Sequence, residues 1–88
     1  MADKIHLSVV TAEGTVFDRM VSYVNIPTDF GSLGVLNGHA PMMCSVGEGR
    51  VRCTFEEDEH AFVRVGTGIA NVADNEVTLL VSDAEVLT

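Results

Sequence analysis

The sequence predicts an all-β fold of sandwich or barrel type with essentially no helix, on three observations. Apolar residues recur with period two: Ile5, Leu7 and Val9 alternate with His6, Ser8 and Val10, and Val77, Leu79 and Val81 with Thr78, Leu80 and Ser82. That spacing places one set on each face of a strand. Turn-forming residues return about every eight to twelve positions, the rhythm of short strands joined by hairpins. No comparably long segment carries apolar residues at i, i+3, i+4 and i+7 between helix caps, and β-branched Val and Ile are frequent throughout.

The elements follow in order. A first strand over 3 to 11 ends at the Glu13-Gly14 turn. The second, 15 to 27, is closed by Pro27; it is longer than most strands, so a bend near Asp18-Arg19 is expected, letting it serve two sheets. Asp29-Phe30-Gly31 turns the chain into 33 to 36, and Asn37-Gly38 with Pro41 sets the entry to 41 to 46. Gly47-Glu48-Gly49 precedes 50 to 56, where Val51, Cys53 and Phe55 alternate with Arg52 and Thr54. The run Glu56 to Glu59 reads as a solvated hairpin tip that discourages edge-to-edge association. Strands at 60 to 66, 69 to 73 and 76 to 82 are separated by Gly66-Thr67-Gly68 and Asp74-Asn75.

Adjacent apolar pairs say more about function than the alternation does, because only one member of each can enter the core. Val9-Val10, Met42-Met43, Phe62-Val63 and Leu79-Leu80 are such pairs. Together they point to a covered outer face, with Met42-Met43 the best candidate because thioether side chains adapt to irregular surfaces. The longest stretch without Asp, Glu, Lys or Arg, Phe30 to Gly47, carries too many Gly, Asn and Pro residues for a membrane span and reads as loop and strand.

Composition narrows the partners. Thirteen acidic against five Lys and Arg residues give a formal charge of −8 in 88 residues. This leaves no basic stripe for nucleic acid and disfavours insertion at an anionic lipid surface. A domain of this size buries only about 60% of its extended-chain surface and gains from association, so protein is the expected partner. Cys44 and Cys53 make no disulfide framework, and the N-terminus lacks a secretory signal, so both thiols are expected to be reduced.

No catalytic or metal constellation stands out. His39, Cys44, Cys53 and His60 offer zinc-type ligands without zinc-type spacing, and no helix N-terminus in the local sequence activates either thiol. The acidic run lacks the interspersed glycine and oxygen ligands of a calcium loop. Gly31, Gly34 and Gly38 are too irregular for a phosphate or dinucleotide loop. His39 reads as a turn histidine bonded to a nearby carbonyl. No cofactor is expected.

The remaining constellation, Gly31-Ser32-Leu33-Gly34-Val35-Leu36-Asn37-Gly38-His39-Ala40-Pro41-Met42-Met43, closely resembles the Gly-x-Leu-Gly to Gly-His-Ala-Pro signature of the epsilon subunit of F-type ATP synthases. His6 to Gly14 with Val16-Phe17 is similar to that family's first strands, and Asp74 to Val81 with Ala84-Glu85 to the end of its sandwich domain. The resemblance implies a sandwich of two antiparallel five-stranded sheets, about ten short strands where periodicity supplies eight. It further implies a non-catalytic central-stalk rotor subunit that fastens gamma to the c ring and so couples ion translocation to ATP synthesis. That places it peripherally on the cytoplasmic face of a bacterial energy-transducing membrane, or its organellar equivalent.

By the same resemblance, Asp29, Phe30, Gly31, Ser32, Leu33 and His39 are the expected c-ring contacts, and Val10, Thr11, Met42, Met43, Cys44 and Leu80 the expected gamma contacts. Many family members carry Glu where this chain has Ser32; Asp29 is the nearest residue able to supply that charge. Residues 1–88 read as one epsilon-type sandwich domain without the family's C-terminal helical hairpin, so no ATP site is expected on the chain. The alternative is a free-standing β-sandwich ligand-binding module using the Phe30 to Met43 surface; a small metal-dependent enzyme ranks third.

Overall fold

The computed structural model describes residues 4–55 and 59–87. It contains ten strands: β1 (Ile5–Thr11), β2 (Gly14–Val21), β3 (Tyr23–Thr28), β4 (Gly31–Leu36), β5 (Met42–Val46), β6 (Gly49–Thr54), β7 (His60–Val65), β8 (Gly68–Ala73), β9 (Glu76–Val81) and β10 (Ala84–Val86), with no helix among the described residues. Hydrogen-bonded neighbours run β10-β7-β6-β3-β5-β8-β9-β1-β2, with β4 on β3. The path divides into a first layer, β10-β7-β6-β3-β4, and a second, β5-β8-β9-β1-β2. Among the described residues, the strand ladders of the two layers meet where Thr28 of β3 pairs with Val46 of β5. Every pairing is antiparallel except β1 with β9, which run parallel.

Period-two alternation builds the interior. Ile5, Leu7, Val9, Val72, Val77 and Leu79 of the second layer face Val24, Ile26, Val35, Val51, Val63 and Val65 of the first, all essentially excluded from water. Each such side chain contributes about 1.5–3 kcal/mol by leaving water, and no polar or charged side chain among the described residues is buried with them. The four adjacent pairs resolve as alternation requires: Val9, Val63 and Leu79 are buried, Met42 packs on the core, and Val10, Met43, Phe62 and Leu80 turn outward.

Several expected boundaries change. The single strand over 15 to 27 is two strands, divided at Ser22 rather than bent near Asp18-Arg19. Ser22 directs both its N–H (2.7 Å) and its hydroxyl (2.9 Å) to the Thr54 carbonyl, ending the β1 ladder and starting the β6 one. The irregularity within β2 lies at Val16: Val9 pairs Phe17 and Val10 pairs Thr15, so Val16 forms a β-bulge. Pro27 does not close its strand, which continues to Thr28, and β4 begins at Gly31 rather than 33. The strand expected over 50 to 56 spans Gly49–Thr54, and most of the acidic tip, 56–58, lies outside the described residues. β10 went unpredicted because three residues are too few to show a period.

Backbones approach most closely at the start of β8, where a Cβ on Gly68 would overlap the Leu80 carbonyl and Val81 Cα of β9. Gly47, by contrast, has room and no positive φ. Urea unfolding is expected to show Gly68→Ala destabilised by about 2 kcal/mol or more, since backbone must move, and Gly47→Ala changed by less than about 1 kcal/mol.

Candidate docking site

The outer face of the second layer carries an apolar strip. Register places Ser45 opposite Ile69, Ile69 opposite Leu80 and Leu80 opposite Val10, in one row across β5, β8, β9 and β1. Met43 pairs with Asn71 one row away and lies diagonal to Ile69, within reach of its side chain. Met43 is 68% exposed, Leu80 54% and Ile69 49%, so this surface is apolar and open. Of the expected gamma contacts, Val10, Met43 and Leu80 come together here. Met42 and Cys44 turn inward and pack against the core, which leaves Met43 as the outward residue of that segment. Thr11 sits at the end of β1 opposite Gly14. Ile69 was missed because it has no apolar neighbour to form an adjacent pair, and only the register reveals it.

Two hairpins sharing a Thr-x-x-Gly turn lie at the end of the sandwich toward which β1 and β3 run. In Thr11-Ala12-Glu13-Gly14 and Thr28-Asp29-Phe30-Gly31, the Thr hydroxyl accepts the N–H two residues on (Glu13 and Phe30, both 3.1 Å). The same hydroxyl donates to the Gly carbonyl three residues on, at 3.4 and 2.6 Å. Gly14 and Gly31 adopt φ of 127° and 118°, conformations closed to other residues. The second hairpin holds Phe30 at 94% exposure, with Asp29 and Ser32 exposed beside it; Leu33 turns inward onto the core.

His39 does not join this group. Six-residue β4 separates it from the hairpin, and about 3.4 Å per residue puts Leu36 about 17 Å from Gly31. At that opposite end, Asn37 donates its side-chain amide to the Lys4 carbonyl (3.2 Å), and the Asn75 side-chain oxygen accepts the Gly38 N–H (2.7 Å). The Asn75 carbonyl accepts the His6 N–H (2.9 Å). The His39 Nδ1 pairs with the Ala40 carbonyl at 2.7 Å, the turn role its sequence suggests. The Asn-Gly-His segment therefore ties the β4–β5 link to β1 and to the β8–β9 turn.

The zinc-type residues are spread apart. Cys53 is buried, its thiol raised above its usual range chiefly by burial; Cys44 is half-buried on β5; His60 bonds Thr54 at 3.0 Å. No three potential metal ligands converge among the described residues. One titratable cluster does form on the outer face of the second layer: His6 Nε2 lies 2.5 Å from Asp18 Oδ1, and its Nδ1 3.9 Å from Glu76 Oε2.

Such an assembly, with an unbroken apolar interior between two layers and an apolar strip exposed on one of them, defines an all-β sandwich domain. The chain is a member of the family described as ATP synthase, Delta/Epsilon chain, beta-sandwich domain, whose model matches residues 4–86. The ATP synthase epsilon chain of Lawsonia intracellularis is 33% identical over 85 residues, covering 97% of this chain and 63% of that one. The epsilon chain of Prochloron didemni is 40% identical over 80 residues, covering 91% and 58%. The chain thus spans about three-fifths of these relatives' length. The fold is shared with a chain in the Euglena gracilis mitochondrial ATP synthase structure of OSCP, F1 and c-ring, with a TM-score of 0.88 and 22% identity, over 99% of this chain and 56% of that one. It is also shared with one in the Tetrahymena thermophila mitochondrial ATP synthase central stalk and c-ring, with a TM-score of 0.74 and 19% identity, over 93% and 66%.

The His6 cluster predicts a pH dependence. The hydrogen bond to Asp18, followed by the charges of Asp18 and Glu76, outweighs partial desolvation and raises the His6 pKa above 6.5. A raised folded-state pKa stabilises fully below the unfolded value and is lost as pH rises through the folded one. NMR titration should show a His6 midpoint above 6.5 that falls back in Asp18→Asn, and the small drop in thermal midpoint across that window should shrink in the same variant.

Proposed function

We propose that this domain is the coupling part of an ATP synthase central-stalk rotor subunit, holding gamma on one face and resting on the c ring at one end. The observation that carries the reading is the exposed strip of Val10, Met43, Ile69 and Leu80 in a member of the delta/epsilon family. Apolar side chains aligned on a rigid sheet suit a permanent protein interface, since burying them gains free energy without further ordering of backbone. The Phe30 hairpin suits the second contact: a fixed turn presents an aromatic ring flanked by Asp29 and Ser32 to the polar loops of a membrane rotor ring. In this role the domain performs no chemistry. It fixes one rotating body to another, so that ion flow turns gamma, and it sits peripherally on the energy-transducing membrane, on the cytoplasmic face in a bacterium.

A ligand-binding module has less support. The Phe30 to Met43 segment runs along β4 from one end of the sandwich to the other instead of lining one enclosed pocket.

Reconstitution tests the proposal. Synthase depleted of this chain should hydrolyse ATP without pumping ions, and adding the chain should restore pumping; unimpaired coupling without it would overturn the reading. Leu80→Asp, at an exposed position, should leave folding intact while weakening co-purification with gamma about tenfold or more, equivalent to about 1.4 kcal/mol. Phe30→Asp should keep gamma and reduce coupling.

A further inference from the structure

The two outer faces of the sandwich differ in charge. Three of the five Lys and Arg residues, Arg50, Arg52 and Arg64, project from the outer face of the first layer, in a chain whose net charge is −8. Register sets Arg50 directly opposite Arg64, and Arg52 opposite both Asn25 and Phe62. Like charges directly opposite one another on a sheet are destabilising unless something compensates them. Arg64 is compensated: it binds Asp83 at 2.9 Å and Glu85 at 3.6 Å, pairings that raise the Arg64 pKa and lower that of Asp83. Arg50 and Arg52 have no carboxylate within ion-pair distance among the described residues. Arg50 instead lies over the outward Phe62 ring, 5.7 Å from its centroid.

We propose that this face, centred on Arg50, Arg52 and Phe62, docks an acidic amphipathic segment of a partner protein, separately from the apolar strip on the other layer. Charge complementarity selects the occupant. Residues two apart on one strand have backbones about 7 Å apart, so Arg50 and Arg52 offer two guanidinium groups from neighbouring positions on one face. Carboxylates at i and i+4 of a helix, or i and i+2 of an extended segment, match that separation. Phe62, half-buried and facing outward between the two arginines' strand and β10, supplies an apolar contact for the partner's non-acidic side chains. A second copy of this chain is a poor occupant because both would carry −8. The two faces lie on opposite sides of the sandwich, so both partners can be held at once.

The test uses the full chain and a synthetic helical peptide with Glu at i, i+4 and Leu on the adjoining face. Amide NMR shifts should localise to residues 25, 50–52 and 62, and fade as salt is raised. The Gln-substituted peptide should bind about tenfold or more weakly, because charge-assisted contacts are lost. Arg50→Glu with Arg52→Glu, both exposed, should retain the fold by circular dichroism, lose the Glu peptide and gain one with Lys in its place. Leu80→Asp should leave this binding unchanged, which separates the proposal from the gamma-docking reading. It is overturned if the peptide shifts the apolar strip instead, if the charge-swapped pair fails to bind, or if phosphatidylglycerol vesicles bind this face in preference to the peptide.

Discussion

The molecule depends on one corner. β3 pairs β6 through Tyr23, Val24 and Asn25, then at Thr28 meets Val46 of β5, so a single strand passes from one layer to the other. Pro27 stands at the change of partner. Lacking an N–H, it cannot extend the β6 ladder, while its carbonyl accepts the Gly47 N–H at 3.0 Å. The next residue, Thr28, pairs with Val46 and also clamps the Asp29-Phe30 turn through its hydroxyl. The contact between layers and the orientation of the most exposed aromatic residue are therefore set by adjacent residues.

That corner also shows how far the chain could be read. The alternation, seven of the connections, and the rule that one member of each apolar pair must face outward were visible, because strand geometry is periodic and turn residues are chemically marked; which of Met42 and Met43 faces outward was not. Nor was the start of β3. Ser22 looks like any strand residue until the Thr54 carbonyl, 32 positions away, is brought to it. The docking strip was half visible for the same reason: Val10, Met43 and Leu80 stood out beside an apolar neighbour, whereas Ile69 is defined by what lies across from it. His39 and Phe30 share an uncharged stretch of sequence, yet an extended β4 carries them to opposite ends, something that a resemblance in sequence order does not convey.

Net charge proved to be an average over unlike surfaces. A value of −8 describes the molecule's behaviour toward lipid and nucleic acid at a distance, but at contact range the outer face of the second layer is an apolar strip and that of the first carries arginine. A sandwich permits this because inward residues are committed to the core and the two outward sets are independent of each other.

The parallel pairing of β1 with β9 has a consequence for how the domain comes into being. His6 pairs with Glu76, and Val10 with Leu80, so the opening strand lies between β2 and an element made some seventy residues later. The β1–β2 hairpin can form as soon as it is synthesised, but its other edge stays unpaired until β9 arrives, and the second layer cannot close before then. Non-local pairing of this kind slows folding and exposes strand edges in the interim. During synthesis, then, the nascent β1 edge is the part of this domain most in need of protection.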